Sequence, residues 1–135
     1  MKLHHLGIVV PNIQEAAYWW EIVSGFRKAS EVMHDPIQEV RVQFFKASDG
    51  FCVELIEPVS ESSPVFRFLK KHGGGLYHQC FEVEDLDNVL AEWREAGAFL
   101  VKKPEPAVAF NGRRIAFLFT PQRLLVEMLE TRPSE

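Results

Sequence analysis

Residues 3–16, LHHLGIVVPNIQEA, and residues 76–89, LYHQCFEVEDLDNV, carry one pattern written twice. At an offset of 73 residues His5 falls on His78, Val10 on Val83, Ile13 on Leu86 and Trp20 on Trp93. The match continues without a gap: Phe26 meets Phe99, Arg41 meets Arg114, Phe44 meets Phe117, Val53 meets Val126, and Glu54 meets Glu127. Self-similarity at a fixed period means a duplicated structural unit, and a module of some 60 residues is too small to bury a comfortable core alone. Two modules sharing one fold are therefore expected.

Each module reads in the same order. The short, partly β-branched runs HHLGIVV and LYHQCFEV are expected strands. Asn12 and Asp85 follow as N-caps, with Glu15 placed to complete a capping box. Apolar residues then recur at helical spacing, Ile13, Ala16, Ala17, Trp20 and Val23 in one module and Leu86, Val89, Leu90 and Trp93 in the other, before Gly25 and Gly97. Three more strands are expected in each module, around 27–33, 40–46 and 51–57, then 99–103, 113–119 and 124–129. The fold class is α+β, a tandem βαβββ, with modules at about 1–59 and 75–132. Between them, SESSPVFRFLKKHGGG (60–75) starts on Ser63-Pro64 and ends on glycines, the signature of a short helix.

The composition fits one globular domain: 135 residues, 47% hydrophobic and 25% charged, with eleven Phe and three Trp to fill a core. A net charge of −4 argues against nucleic acid as a partner. No run approaches a membrane span, and the N-terminal residues do not read as a signal peptide. Cys52 and Cys80 sit in apolar runs rather than in a disulfide framework, which points to a reducing, cytoplasmic setting.

Two kinds of residue are odd for their settings. In FCVELIEP (51–58), Glu54 shares its strand face with Cys52 and Ile56; in LLVEMLE (124–130), Glu127 shares its face with Leu125 and Leu129. A carboxylate among apolar neighbours is costly to bury unless paired, hydrogen-bonded or bound to metal. Glu57 and Glu130 close their strands and read as ordinary exposed acids. His5 and His78 hold equivalent places on the first strand of each module. Two imidazoles and two carboxylates in matched pairs suit one divalent transition metal, Co, Ni, Zn, Mn or Fe, with no organic cofactor. His4, His34 and His72 have no counterpart at the offset and are expected to be structural.

The doubled pattern, with His5, Glu54, His78 and Glu127 at the ligand positions, resembles the vicinal oxygen chelate superfamily (glyoxalase, bleomycin resistance, extradiol dioxygenase). Within it the chain is most similar to the methylmalonyl-CoA epimerases, through LHHLGIVVPNIQEA, VELIEP (53–58), SPVFRFLKKHGGGLYHQCFEVEDLD (63–87) and NGRRIAFLFTPQRLLVEML (111–129). The resemblance implies a metal-dependent isomerase that removes a proton next to a thioester carbonyl through an enolate, with Glu127 as ligand and base. The epimerase pattern also has an acidic residue on the third strand. Here the region near Val42 is apolar, and Glu39 just before it and Glu54 are the other candidate bases. Tyr77 and the Phe119-Thr120-Pro121 turn replace histidine-containing positions of that pattern. The resemblance further implies that Arg67, Lys70 and Lys71, or Arg113 and Arg114, hold an anionic thioester carrier, and that the protein is a homodimer. Trp19, beside Trp20 but off the helical stripe, is either part of that interface or a partly exposed aromatic with no partner. Its partner would be a small-molecule thioester or a thiol adduct. The alternatives are a glyoxalase I-like lactoylglutathione lyase and a non-enzymatic drug- or metabolite-binding protein. An extradiol dioxygenase fits less well, because two His and one carboxylate would leave Glu54 surplus.

Overall fold

Strand β1 (Lys2–Val9) opens the chain as its β-branched run requires, and helix α1 (Ile13–Tyr18) follows it at once. The structure is a computed structural model describing residues 1–131; residue 132, the expected end of the second module, lies outside the described residues. The chain divides into two compact units, one of residues 5–77 and the other of residues 1–4 together with those from His78 onward.

In the unit of residues 5–77, Asn12 Oδ1 accepts the Glu15 N–H at 3.0 Å and starts α1 as expected. The helix widens into a π-helical turn over Trp19–Val23, closed by the Ser24 N–H donating to the Trp19 carbonyl at 2.8 Å. Strands β2 (Arg27–Lys28), β3 (Met33–Asp35), β4 (Val40–Lys46) and β5 (Cys52–Pro58) follow. They run in the order β2-β4-β5-β1, with β3 also on β4 and β1 parallel to β5. The single strand expected over 27–33 is thus two short ones. Ser30 breaks it: its hydroxyl takes the Phe44 N–H at 3.0 Å and its carbonyl takes Gln43 Nε2 at 3.1 Å, so side chains occupy rungs that a continuous ladder would use. Ile13 and Trp20 of the helix pack on Val10, Phe45, Val53 and Leu55, the face the periodicity assigned them.

Helix α2 (Pro64–His72) is capped by Ser63 and ends on Gly73, which is left-handed at φ 75°. The chain then enters β6 (Gly75–Val83) through Gly74, where an added Cβ would lie 2.7 Å from the Val9 carbonyl oxygen.

The second unit repeats the plan. Asp85 caps α3 (Leu86–Glu95), and β7 (Phe99–Pro106), a 3-10 turn over Val108–Phe110, β8 (Arg114–Phe119) and β9 (Leu125–Glu130) complete the order β6-β9-β8-β7 with β6 parallel to β9. Leu86, Leu90 and Trp93 pack on Val83, Ala116, Leu118, Val126 and Met128. No helix among the described residues is long and apolar enough to cross a membrane.

A clamp absent from the sequence reading recurs in both units. Arg41 Nε donates to Glu57 Oε2 at 3.0 Å, while Glu57 Oε1 accepts the Ile13 N–H at 2.9 Å, at the first residue of α1. At the same offset, Arg114 Nε and Nη2 donate to the two oxygens of Glu130 at 3.0 and 2.8 Å, and Nη2 reaches Asp87 in the first turn of α3 at 3.1 Å. The expectation of exposed acids at 57 and 130 is corrected: both carboxylate side chains are 13% exposed. Each clamp ties two strands to a helix start, where a carboxylate also meets the positive end of the helix dipole.

Two outcomes follow. Gly74→Ala, forced against backbone, lowers the unfolding free energy by about 2 kcal/mol. Gly75→Ala, with φ 118° but open space around its Cβ, costs about 1 kcal/mol; urea titration of both checks the order. The Arg114 guanidinium holds the Glu130 carboxyl below its ordinary value of 4.5, chiefly by hydrogen bonding and against the opposing effect of burial. A depressed folded-state value means that the stabilisation is present above the unfolded value and lost as pH falls through the folded one. The stability gap between wild type and Arg114→Met is therefore constant from pH 7 to 5 and closes below about 4.5.

Candidate functional site

Strand register places one imidazole against one carboxylate in each unit. In the parallel β1–β5 pair Gly7 stands opposite Glu54, so His5, two residues back, shares the face of Glu54. Glycine at 7 leaves that face clear. His5 Nε2 lies 3.2 Å from Glu54 Oε1, and both residues are buried. In the β6–β9 pair Cys80 stands opposite Glu127, and His78 Nε2 lies 3.1 Å from Glu127 Oε1, again buried.

A third residue completes each pair. Phe44 is the direct cross-strand partner of Glu54, and its ring meets the His5 imidazole edge-on at 5.4 Å and 81°. Phe117 partners Glu127 and meets His78 at 5.5 Å and 80°. The offset of 73 thus repeats a His–Glu–Phe triplet down to its ring angles. The phenylalanines belong to the match read from the sequence, but nothing in composition marks a core Phe as an imidazole neighbour.

The donor chemistry can be tested against a metal. Nitrogen and oxygen donors held about 2.1 Å from one ion, at angles between octahedral and tetrahedral, stand roughly 3.0–3.4 Å apart. Both His–Glu spacings fall in that range, which they share with a hydrogen bond. Imidazole and carboxylate fit a borderline dication. Each pair sits on the sheet face opposite its helix, where an apolar core would otherwise run.

The remaining expected site residues stand elsewhere. Glu39 occupies a left-handed turn (φ 55°) before β4, with Oε1 accepting the Ser62 hydroxyl at 2.6 Å and the Ser60 hydroxyl at 2.9 Å. Those two bonds, Ser62 first, hold its carboxyl below the usual range. Its carbonyl takes the Val59 N–H, five residues along the chain from Glu54, or about 16 Å at strand rise. It is a loop clasp. Arg113 donates to Glu82 at 3.3 Å and to the carbonyls of Glu130 and Thr131, and Arg114 is held in its clamp, with the Glu130 and Asp87 bonds raising its pKa further. Arg114 is thus engaged by two acids, and Arg113 is bonded through Nη1 alone. Arg67, Lys70 and Lys71 are exposed on α2, with Lys70 Nζ 6.0 Å from the Phe66 ring. Val42, on the face of Phe44 and Glu54, is buried and apolar.

Cys52 shares the Glu54 face and is buried. Burial, with a smaller contribution from Glu54, pushes its thiol up to about 11 against the opposing charge of Lys46. In a Cys80→Ser background the remaining thiol therefore resists a disulfide reagent at pH 8 in the folded protein and reacts at once in denaturant. Fast labelling of the native protein would contradict the burial.

The sequence profile of the Glyoxalase/Bleomycin resistance protein/Dioxygenase superfamily matches residues 4–117. Ethylmalonyl-CoA/methylmalonyl-CoA epimerase of Cereibacter sphaeroides is 32% identical over 118 residues, covering 87% of each chain. Methylmalonyl-CoA epimerase from Mycobacterium tuberculosis superposes with a TM-score of 0.85 at 27% identity, over 99% of this chain and 89% of that one. A variant of the Streptomyces coelicolor methylmalonyl-CoA epimerase, in complex with 2-nitronate-propionyl-CoA, gives 0.82 at 27% identity, over 98% and 99%.

Proposed function

The chain belongs to the glyoxalase/bleomycin resistance protein/dioxygenase superfamily, and from that premise we propose that it is a metal-dependent isomerase of the methylmalonyl-CoA epimerase type. The observation that carries the reading is the twice-repeated buried pair, His5 with Glu54 and His78 with Glu127. Its substrate is an acyl-CoA thioester bearing an acidic hydrogen next to the carbonyl. The epimerase relatives at 32% and 27% identity support that substrate class.

His5, Glu54, His78 and Glu127 form a set able to hold one dication. When bound, such an ion supplies stabilisation for the negative charge that develops on a carbonyl oxygen as the neighbouring C–H is deprotonated. The chain supplies the rest. The imidazoles hold position through the Phe44 and Phe117 edges. Glu127 accepts the substrate proton on one carboxylate oxygen, and Glu54 is the second group able to hold or return one. Glu39, tied to Ser60 and Ser62, takes no part. The apolar β4 face at Val42 favours a second reading, a glyoxalase I-type lyase, in which one of the two glutamates moves the proton between neighbouring carbons.

The exposed ridge of Tyr18, Trp19, Ile22 and Val23, where Trp19 is 57% exposed, supports a homodimer; a monomeric mass by solution scattering at high concentration would remove it.

The decisive experiment uses the metal-loaded protein in D₂O with methylmalonyl-CoA, and separately with methylglyoxal and glutathione, following deuterium incorporation and product. Turnover of the first alone supports the epimerase, turnover of the second alone the lyase. His5→Ala and His78→Ala each lower the metal content below one ion per chain; unchanged content in both refutes the centre. Glu127→Gln retains metal while exchange at the substrate carbon falls by about 10²-fold or more. Full exchange in metal-saturated Glu127→Gln would transfer the base role to Glu54.

A further inference from the structure

We propose that Arg27 and Lys46 form an oxyanion-binding subsite on the sheet face that carries His5 and Glu54. The proposal rests on the anionic-thioester reading above and names the part of the site that holds the substrate's negative group.

Register and alternation place the two cations. Arg27 stands directly opposite Lys46 in the antiparallel β2–β4 pair. Lys46 in turn stands opposite Cys52, and Phe44, two residues earlier on β4, stands opposite Glu54. Lys46 therefore lies on the Glu54 face, about 7 Å along the strand from the Phe44–Glu54 rung. The neighbours of Arg27 confirm its side: Phe26 packs into the helix-side core and Lys28 stands opposite the core residue Phe45.

Like charges directly opposite on one sheet face destabilise the pair. Three of the other arginines face acids: Arg41 with Glu57, Arg113 with Glu82, Arg114 with Glu130. Lys28, beside Arg27, has Glu31 at 3.7 Å. Among the described residues neither Arg27 nor Lys46 has such an acid, and both are exposed. An arginine fork beside a lysine point charge is suited to a carboxylate or a phosphate. Both occur in a carboxyacyl-CoA, on the acyl group and on the carrier.

Calorimetric titration of metal-loaded wild type and the Arg27→Ala/Lys46→Ala double variant with methylmalonyl-CoA, propionyl-CoA and methylmalonyl-pantetheine tests the subsite. The expected result is a Kd for methylmalonyl-CoA raised about 10-fold, with a shallower salt dependence. If the contact is to the acyl carboxylate, the loss persists with methylmalonyl-pantetheine and vanishes with propionyl-CoA; if it is to a carrier phosphate, the pattern reverses. Arg27→Lys/Lys46→Arg, which keeps both charges, retains the affinity. An unchanged Kd in the alanine variant, or an equal loss in the charge-keeping one, overturns the subsite while leaving the enzyme reading in place. A wild type that binds none of the three overturns that reading and the subsite with it.

Discussion

The register of one parallel strand pair, β1 on β5, and of its copy, β6 on β9, is the constraint on which the rest depends. Side chains alternate along a strand with period two, so a slip of one residue would turn Glu54 toward the helix and present Leu55 in its place. The same slip in β9 would replace Glu127 by Met128. Three devices hold the register. Gly7 offers no side chain opposite Glu54, Gly74 fits against the Val9 carbonyl where nothing larger can, and each Arg–Glu clamp ties the strand end to the helix start. Strand register, more than any special property of the glutamates, sets them beside the histidines.

The two faces of each half-sheet are thereby given different tasks. One is covered by an amphipathic helix and closed with Phe45, Val53 and Leu55, or with Leu118, Val126 and Met128. Its stability is ordinary apolar burial and asks nothing of the opposite face. The other carries a histidine and a carboxylate that only a partner can repay. A duplicated module that placed its helix on the wrong side would have to bury that pair beneath a helix, against no counter-charge.

Much of this was legible because duplication turns weak local signals into matched ones. The helix caps at Asn12 and Asp85, the core-facing stripe from Ile13 to Trp20, and the strand faces of Glu54 and Glu127 all follow from local pattern and from periodicity of 3.6 or 2. Val23, expected to end that stripe, is exposed instead, because the π-helical turn over Trp19–Val23 departs from the 3.6 spacing. Cross-strand partnership was not legible. Arg41 and Glu57 are sixteen residues apart in sequence and meet only because β4 folds back on β5, so Glu57 read as exposed when it is clamped. Arg113 and Arg114 looked available for the same reason: a side chain's charge is visible in sequence, its counter-ion is not. The break at Ser30 was hidden because a hydroxyl competing for a backbone rung leaves no mark on the hydrophobic pattern. Glu39, read as a candidate base from its position before β4, is held by two serines more than twenty residues away, contacts that no local pattern announces.

Charge balance gives the duplication a chemical logic on the proposed reading. On that reading each module contributes one carboxylate and one imidazole, which ligates a metal only in its neutral form and so adds no charge. A dication is neutralised by two such modules and by no single one, since one His–Glu pair would leave a unit charge in a medium where an uncompensated ion costs several kcal/mol. Two donors per module also fall short of a four-coordinate shell, which two modules complete. A centre so balanced has no net charge with which to attract an anionic substrate. Attraction must then come from cations outside the ligand set, and Arg41, Arg113 and Arg114 already face Glu57, Glu82 and Glu130. That requirement singles out exposed cations on the ligand face that no acid accompanies, which is the position of Arg27 and Lys46 at the far edge of β4.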